Sequence, residues 1–566
     1  MLKRNKIILI LLIAFFLRTI YLGIYPNNLT NDELHFVLNA KSVFLQFSNL
    51  AHNWNPFSLT TIPQESSSEL PFVLTSWLIG PLPLDLFFSK LIYVLFGVGT
   101  VYLIYCLSQK LFNEKIALLA ALIFSLNPWS ILVNRTAFDA PLAIFFYLLT
   151  LYCLLIYRGK KILWSFIPAL IAFYCYIGTK VIFLPIMFCY LIFTFHRNPK
   201  DKKYYFIVAL LSIILVIFYY SRIGNGASRL NELATPNHPS IINQSLTDRN
   251  QSLKTPLKII FSNKYTVFVE NFLVKYFGNF SPNILFLKGD TTYFISLWRH
   301  GYFYLIDSIF IILGLIALFN FNRQLFYFII SLIALSPIPE AIRIDPIPAY
   351  AFHSCFQYPF LCVLVALGID QFLKLKIPLS KLLLIIVYSF SFSYFLYIYF
   401  YRYPVYQSEG FFFSRRLVSQ YLKLVPNDHP IVVISPEPDS LYRNYLFNSN
   451  LLNRNNLKNI TEQYQKNSSR ELFTEANITF INKIPQTFDK NVTYIIDRQT
   501  NWQPKGIDFL VINKLNEPAN LFFIINDNLC DRNQLDYYVH NLRLADFNLN
   551  QLNQQAFCQK YLDRPL

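Results

Sequence analysis

Long apolar runs constrain this chain more than any other feature. Stretches near 20 residues span a bilayer, and such runs fall at about 7–24, 86–109, 116–133, 140–157, 162–178, 181–196, 204–221, 302–320, 325–341, 354–373 and 380–401. The expectation is a mainly α-helical, polytopic membrane protein with about eleven transmembrane helices. Composition agrees: 54% of the 566 residues are hydrophobic, 18% aromatic and only 14% charged. The first run has no small-residue cleavage site and Arg18 interrupts it, so it reads as a retained membrane helix, not a signal peptide.

The net charge of +17 would suggest nucleic acid in a soluble protein. Here the basic residues cluster in short loops: Lys3 to Lys6, Lys110 to Lys115, Arg158 to Lys161, His196 to Lys203, Arg323 and Lys374 to Lys381. All fall on one side of the expected spans, which the positive-inside rule makes cytoplasmic. The reading is an inner-membrane, multi-pass protein with a cytoplasmic N-terminus and no nucleic-acid partner. The other side receives two long loops, 25–85 and 222–301, and everything beyond 402.

From 403 to 566 the apolar runs shorten and Asn and charged residues rise. Ile431 to Ile434, Thr493 to Ile496, Phe509 to Ile512 and Phe522 to Ile525 read as strands, and Ser414 to Leu424 as a helix. This is expected to be a small extracytoplasmic α/β domain following a membrane domain of residues 1–402. Of eight cysteines, six lie in or beside apolar runs as packing residues. Cys530 and Cys558 lie in the polar tail, where an oxidising compartment allows them to pair.

The first outer loop opens with Leu29-Thr30-Asn31-Asp32-Glu33-Leu34-His35. Thr30 and Glu33 have the spacing of a capping box. The helix that follows carries Leu34, Val37, Leu38, Phe44 and Leu45 at helical spacing, which predicts an interfacial helix with its apolar face in lipid. In the ordinary reading Glu33 caps the helix and Asp32 complements its dipole. In the functional one Asp32 faces a cavity and does chemistry.

Further charges sit at the same face: Arg135 and Asp139 between the third and fourth spans, Lys180 between the fifth and sixth, Arg299 and His300 before the eighth, and Arg343, Asp345 and His353 between the ninth and tenth. Each has an ordinary reading alone. Arg135 snorkels, Asp139 caps the next helix ahead of Pro141, Lys180 meets headgroups, and the histidines are structural, since no ligand spacing surrounds them. Together they bring carboxylates and cations to one face. A charge at membrane depth costs roughly 2.5–3.5 kcal/mol on insertion scales, so chains keep such charges where they meet a cavity or one another.

Sugar transfer from a lipid phosphate suits this set. The phosphate leaving group needs no proton, so one carboxylate suffices as general base on an acceptor hydroxyl. The charge developing on the phosphate needs Arg or Lys.

With these residues the chain resembles the GT-C membrane glycosyltransferases, in the branch of protein O-mannosyltransferase-like and aminoarabinose-transferase-like proteins (glycosyltransferase family 39 type). Four segments carry the resemblance, and they span most of residues 1–400. They are Asn31-Asp32-Glu33; Lys90-Leu91 through Leu126-Asn127-Pro128-Trp129 to Asn134 through Pro141; Tyr174-Cys175-Tyr176 to Lys180 and Pro185; and Phe286 to Asp290 through Arg299-His300-Gly301. The resemblance implies that Asp32 is the base or an acceptor-site carboxylate and that Arg135 and Lys180 hold the donor phosphate; the reading taken here makes Asp32 the base, with Glu33 and Asp139 orienting these groups. The resemblance also implies an inverting transfer from a polyprenyl-phosphate sugar to a protein, lipid or glycan hydroxyl, outside the cytoplasm. Lys180 stands where the family often has Arg, which keeps charge without a bidentate fork. His353 aligns near another family Arg, a role open to Arg343.

No cofactor is expected. One acidic pair offers few oxygen ligands, so the reading leans metal-independent without excluding a divalent cation. The rival readings are an envelope-polysaccharide polymerase or ligase, a transporter, and a membrane anchor displaying the tail. A transporter is disfavoured by spans free of mid-membrane charge, by only 15 glycines and by the lack of an internal repeat.

Overall fold

The structure is a computed structural model. It describes the chain apart from residues 1, 59, 61, 63–66, 223–234, 293, 345–349, 427, 468, 505, 536–541 and 565–566. Asp345 and the start of the 222–301 loop lie outside the described residues.

Each predicted apolar run is helical over most of its length. Among the described residues, five helices are long and apolar enough to cross a membrane: Leu86–Leu111, Pro199–Arg222, Arg323–Ala341, Cys355–Lys374 and Ser380–Tyr406. Ala140–Ile156, Phe183–Arg197 and Asp307–Phe321 are apolar but shorter. The run at 116–133 is broken into Glu114–Leu126 and Pro128–Asn134, bent by 60°. Asn127 causes the break. Its side chain accepts from the Ser130 N–H at 3.0 Å and so starts a new helix, with Pro128 at the first position, where its missing N–H costs nothing. Arg18 fits into this break: its guanidinium donates to the Ser125 carbonyl at 3.1 Å and to Ser130 Oγ at 2.7 Å.

Asp85, Asn113 and Asn322 cap Leu86–Leu111, Glu114–Leu126 and Arg323–Leu335. Polar caps thus punctuate the apolar sequence into helices. Helices Asp307–Phe321 and Tyr358–Lys374 cross at two glycines. A Cβ on Gly314 would lie 2.0 Å from the Leu364 carbonyl oxygen, and one on Gly368 2.0 Å from that of Phe310. Backbones approach so closely only at small residues.

The tail forms a six-stranded sheet. Its strands are β1 (Ile431–Ile434), β2 (Leu472–Glu475), β3 (Ile478–Ile481), β4 (Thr493–Asp497), β5 (Phe509–Asn513) and β6 (Asn520–Ile525), in the order β2-β3-β1-β4-β6-β5. β1 pairs in parallel with β3 and β4, and the other pairs are antiparallel. The four strands read from sequence are present. β2 and β3 are additional, a short hairpin with a turn at Ala476-Asn477. Between β1 and β2 run the helices Pro438–Asn448 and Leu457–Lys466.

Cys530 and Cys558 are joined, tying the stretch after β6 to helix Gln554–Tyr561. Closing that loop is worth about 3–4 kcal/mol by the chain-entropy relation. Cys530→Ser should therefore lower the thermal-inactivation midpoint of the purified protein, and reductant should do the same to the wild type. A midpoint unchanged by either would contradict the assignment of a stabilising bond.

The tail is bolted to the first long loop. Asn28 Nδ2 donates to the Phe412 carbonyl at 3.0 Å and to Asn444 Oδ1 at 2.9 Å. Arg416 donates to the Asn27 carbonyl at 2.5 Å, and Ser440 Oγ to Asn31 Oδ1 at 2.6 Å. Asn450 accepts from the Leu84 N–H at 2.9 Å. The sheet domain and residues 27–31 thereby fix one another.

Candidate active site at the junction of the two domains

Helix Asn31–Gln46 begins with a complete capping box. Glu33 N–H donates to Thr30 Oγ1 at 3.3 Å, and Thr30 N–H donates to Glu33 Oε2 at 2.8 Å. The second Glu33 oxygen reaches across to accept from the Ala137 N–H at 2.8 Å. Glu33 therefore locks the loop-one helix to the 135–139 turn. Burial pushes its carboxyl above the usual range, opposed by the Lys90 ammonium and these donated hydrogen bonds. The helix does not lie with its apolar face in lipid, contrary to the sequence expectation. Leu34, Val37 and Leu38 are buried in the protein core and Phe44 stays exposed, because helix Pro71–Ile79 and the sheet domain supply the apolar surface instead.

Asp32 is the exposed neighbour of this lock. Among the described residues its carboxylate accepts no hydrogen bond and joins no ion pair. It lines a cavity of about 360 Å³, a size within the range of small-molecule sites. Asn31, Asp32 and His35 form one side, and Ser67, Asp139 and Tyr176 the next. Arg343, Tyr350, Phe352 and His353 come from the loop before helix Tyr358–Lys374, and Arg443 and Arg470 from the sheet domain. Phe138, Tyr176, Tyr350 and Phe352 make an aromatic wall, with Phe138 and Phe352 edge to face at 4.8 Å.

Asp139 stands at the N-cap position of helix Ala140–Ile156 but does not cap it. Its Oδ2 accepts from Ser68 Oγ at 2.8 Å, and Ser68 in turn accepts from the Ile177 N–H at 2.9 Å. Arg343, Ala351 and His353 are held from three directions. His353 Nδ1 lies 2.5 Å from the buried Glu340 Oε2 and 3.0 Å from Arg343 Nη1. Asp290 accepts from the Ala351 N–H at 2.8 Å, and burial pushes its carboxyl up to about 6. Lys275 Nζ donates to the Arg343 carbonyl at 2.6 Å, tying helix Lys264–Gly278 of the second long loop to the cavity.

The structure thus brings together Asp32, Asp139, Arg343 and His353 of the residues expected from sequence, with Glu33 directly behind them. It does not bring Arg135 or Lys180 to the cavity. Arg135 is fully buried and donates to the carbonyls of Leu17 (3.2 Å), Arg18 (3.1 Å), Ile20 (2.7 Å) and Tyr25 (2.7 Å) and to Tyr399 Oη (3.0 Å). It closes the end of the first helix, where carbonyls lack intrahelical donors. Lys180 Nζ donates to both Glu69 oxygens, at 3.0 and 2.7 Å, and to Tyr219 Oη at 2.7 Å. Its charge is neutralised inside the protein. Arg299 is exposed away from the cavity. His300 is buried, with Nδ1 2.7 Å from the Gly301 carbonyl oxygen.

Arg443, Arg470 and Tyr350 are cavity residues that sequence reasoning did not single out, while Tyr176 lies in a segment that carried the resemblance but was given no role. Arg443 left only an i,i+4 Asp439 spacing, which any exposed helix shows. Among the described residues no group of three or more His, Cys, Asp and Glu is placed to hold a metal ion.

Residues 87–220 match the family of dolichyl-phosphate-mannose-protein mannosyltransferases. The matched stretch contains Arg135, Asp139, Lys180 and Tyr219. No curated protein matches. The chain is also similar to the solved structure of ArnT from Cupriavidus metallidurans bound to undecaprenyl phosphate, with 9% identity, 93% of this chain and 98% of that one covered, and a TM-score of 0.49. It is similar to the oligosaccharyltransferase AglB from Archaeoglobus fulgidus in complex with an inhibitory peptide and a dolichol-phosphate, with 11% identity, 93% and 74% covered, and a TM-score of 0.45. Residues 87–220 are thus similar to a family of membrane mannosyltransferases, in agreement with the GT-C resemblance of the sequence.

Proposed function

We propose that this protein transfers a sugar from a polyprenyl-phosphate donor to an acceptor hydroxyl in the cavity between its membrane helices and its sheet domain, on the extracytoplasmic face. The observation that carries this reading is the placement of Asp32. An exposed carboxylate faces Arg343 and an aromatic wall, held by a helix start whose cap does not depend on it.

In this reading Asp32 takes the proton from the acceptor hydroxyl as the hydroxyl attacks the anomeric carbon. The bond to the phosphate oxygen breaks on the opposite side, and the anomeric configuration inverts. Arg343 stabilises the charge left on the lipid phosphate, with His353 and Glu340 positioning its loop. Asp139 orients the Ser68 and Ile177 side of the cavity. Arg135, Lys180 and Glu33 build the frame in place of the phosphate contacts expected for the first two.

The test is sugar transfer from radiolabelled polyprenyl-phosphate sugars by the purified protein in membranes supplied with an acceptor-containing extract. Labelled product in the extract is the expected result. No turnover of any donor would favour transport or ligation. Transfer is expected to be metal-independent, so EDTA should leave the rate unchanged. Loss in EDTA with recovery in Mn²⁺ or Mg²⁺ would contradict that.

A further inference from the structure

The second long loop carries an apolar face that the described residues leave exposed. Helices Pro239–Gln251, Leu257–Phe261 and Lys264–Gly278 follow one another there. Leu253 and Phe261 are 88% and 70% exposed, and Leu257 and Ile260 are exposed between them. On helix Lys264–Gly278, Tyr265, Val269, Leu273 and Phe277 recur at every fourth position, which makes one stripe along the helix, and all four are exposed. Single exposed apolar side chains are ordinary, whereas a contiguous face of them marks a contact.

Cations are interleaved with this face. Residues 249–269 contain Arg249, Lys254, Lys258 and Lys264 and no acidic residue; Glu270, beside the stripe, is the first. Lysines among large apolar side chains match a phospholipid surface, where acyl chains take the apolar groups and phosphates the ammonium groups. Depth points the same way. Tyr276 Oη donates to the Ala334 carbonyl at 2.8 Å. Ala334 lies within the 19-residue span Arg323–Ala341, short of its cavity-side end by about 10 Å at about 1.5 Å per residue. A span of that length only just crosses the hydrocarbon core. Tyr276 therefore reaches below the headgroups, and its helix lies at the membrane boundary.

We infer that residues 253–277 do not stand in water but lie in the bilayer leaflet nearest the cavity. The stripe and the apolar side chains before it sit among acyl chains, and Lys254 and Lys258 meet anionic phospholipid headgroups. This lipid-held surface borders the cavity. Lys275, on the same helix, donates to the Arg343 carbonyl at 2.6 Å, and helix Lys264–Gly278 packs on Ile338–Ala341. The inference stands apart from the transfer reading, because it does not depend on what the cavity binds.

The experiment adds one tryptophan to the full-length protein, as Phe261→Trp or Leu273→Trp, in phosphatidylcholine vesicles containing phosphatidylglycerol, and reads the fluorescence gained over wild type. Lipids brominated on their acyl chains should quench most of it and aqueous acrylamide little. Leu472→Trp, at an exposed position of β2 in the sheet domain, should show the reverse. Quenching of the loop tryptophans by acrylamide and not by brominated lipid would put the face in water and overturn the inference. Protection from both quenchers would overturn it in favour of a protein cover, a second copy or another partner. Hydrogen exchange on the wild type needs no substitution. Amides of residues 253–262 should exchange more slowly with phosphatidylglycerol present than in phosphatidylcholine alone, by about fivefold per lysine, and Lys254→Gln/Lys258→Gln should lose that difference. Exchange independent of phosphatidylglycerol would overturn the assignment of the lysines to anionic headgroups.

Discussion

Asp32→Asn is expected to lower the transfer rate by about 10²–10⁴, the range for removal of a general base. Asparagine keeps the size of the side chain and loses only its capacity to take a proton. The fold has no stake in the exchange. The helix start is held by Thr30 and Glu33, and among the described residues Asp32 makes no hydrogen bond. Membrane insertion, the Cys530–Cys558 bond and the donor KM should stay at wild-type values while kcat falls. Glu33→Gln should behave differently and cost stability, because both Glu33 oxygens accept backbone N–H groups in a buried place. An Asp32→Asn protein with wild-type kcat would return Asp32 to the role of helix-dipole partner.

Lys180→Met is expected to destabilise the protein by about 3–5 kcal/mol, the cost of breaking a buried ion pair from one side. Lys180 and Glu69 side chains are 3% and 4% exposed, which leaves a stranded carboxylate no route to water. Tyr219 Oη still donates to Glu69 at 2.9 Å, one neutral donor in place of an ammonium. The double variant Lys180→Met/Glu69→Leu should recover much of the loss, since it removes both buried charges at once. Thermal-inactivation midpoints in one detergent would read the effect. The pair joins the 67–70 turn, helix Ile177–Lys180 and helix Lys202–Arg222, so its loss should also loosen the Ser68 side of the cavity. A single variant as stable as wild type would contradict the assignment of Lys180 to the frame.

The helices were legible because apolar length is nearly the whole signal for a membrane segment, and Asp85, Asn113 and Asn322 mark their starts in sequence. The break at Asn127-Pro128 was legible only in hindsight, since an apolar run continues through it. Asp32 and Asp139 were found as carboxylates at membrane ends, and both reach the cavity. Arg135 and Lys180 were found by the same reasoning and do not. A charge near the membrane edge satisfies its cost equally well by facing a cavity or by meeting an internal partner, and sequence shows only the charge. Glu69 is 111 residues from Lys180, and the carbonyls bound by Arg135 are 110 to 118 residues away. Arg443 and Arg470 were missed for the opposite reason. They sit in a polar stretch where arginines are ordinary; the docking of Asn28 and Asn31 on helix Pro438–Asn448 brings Arg443 to the site, and Arg470 reaches it from outside that helix, beside Asp439. The hairpin β2-β3 was missed because its strands are only four residues long, although Ile478, Phe480 and Ile481 make β3 apolar.

The most direct test of the account is photo-crosslinking of the purified protein with a polyprenyl-phosphate sugar analogue carrying the photoreactive group on the sugar, followed by peptide mapping. Adducts should fall on the cavity wall, in the peptides containing Asp32, Phe138, Tyr176 or Tyr350, and excess natural donor should suppress them. Specific adducts confined to peptides remote from these residues would place the sugar elsewhere and contradict the assignment of this cavity as the transfer site.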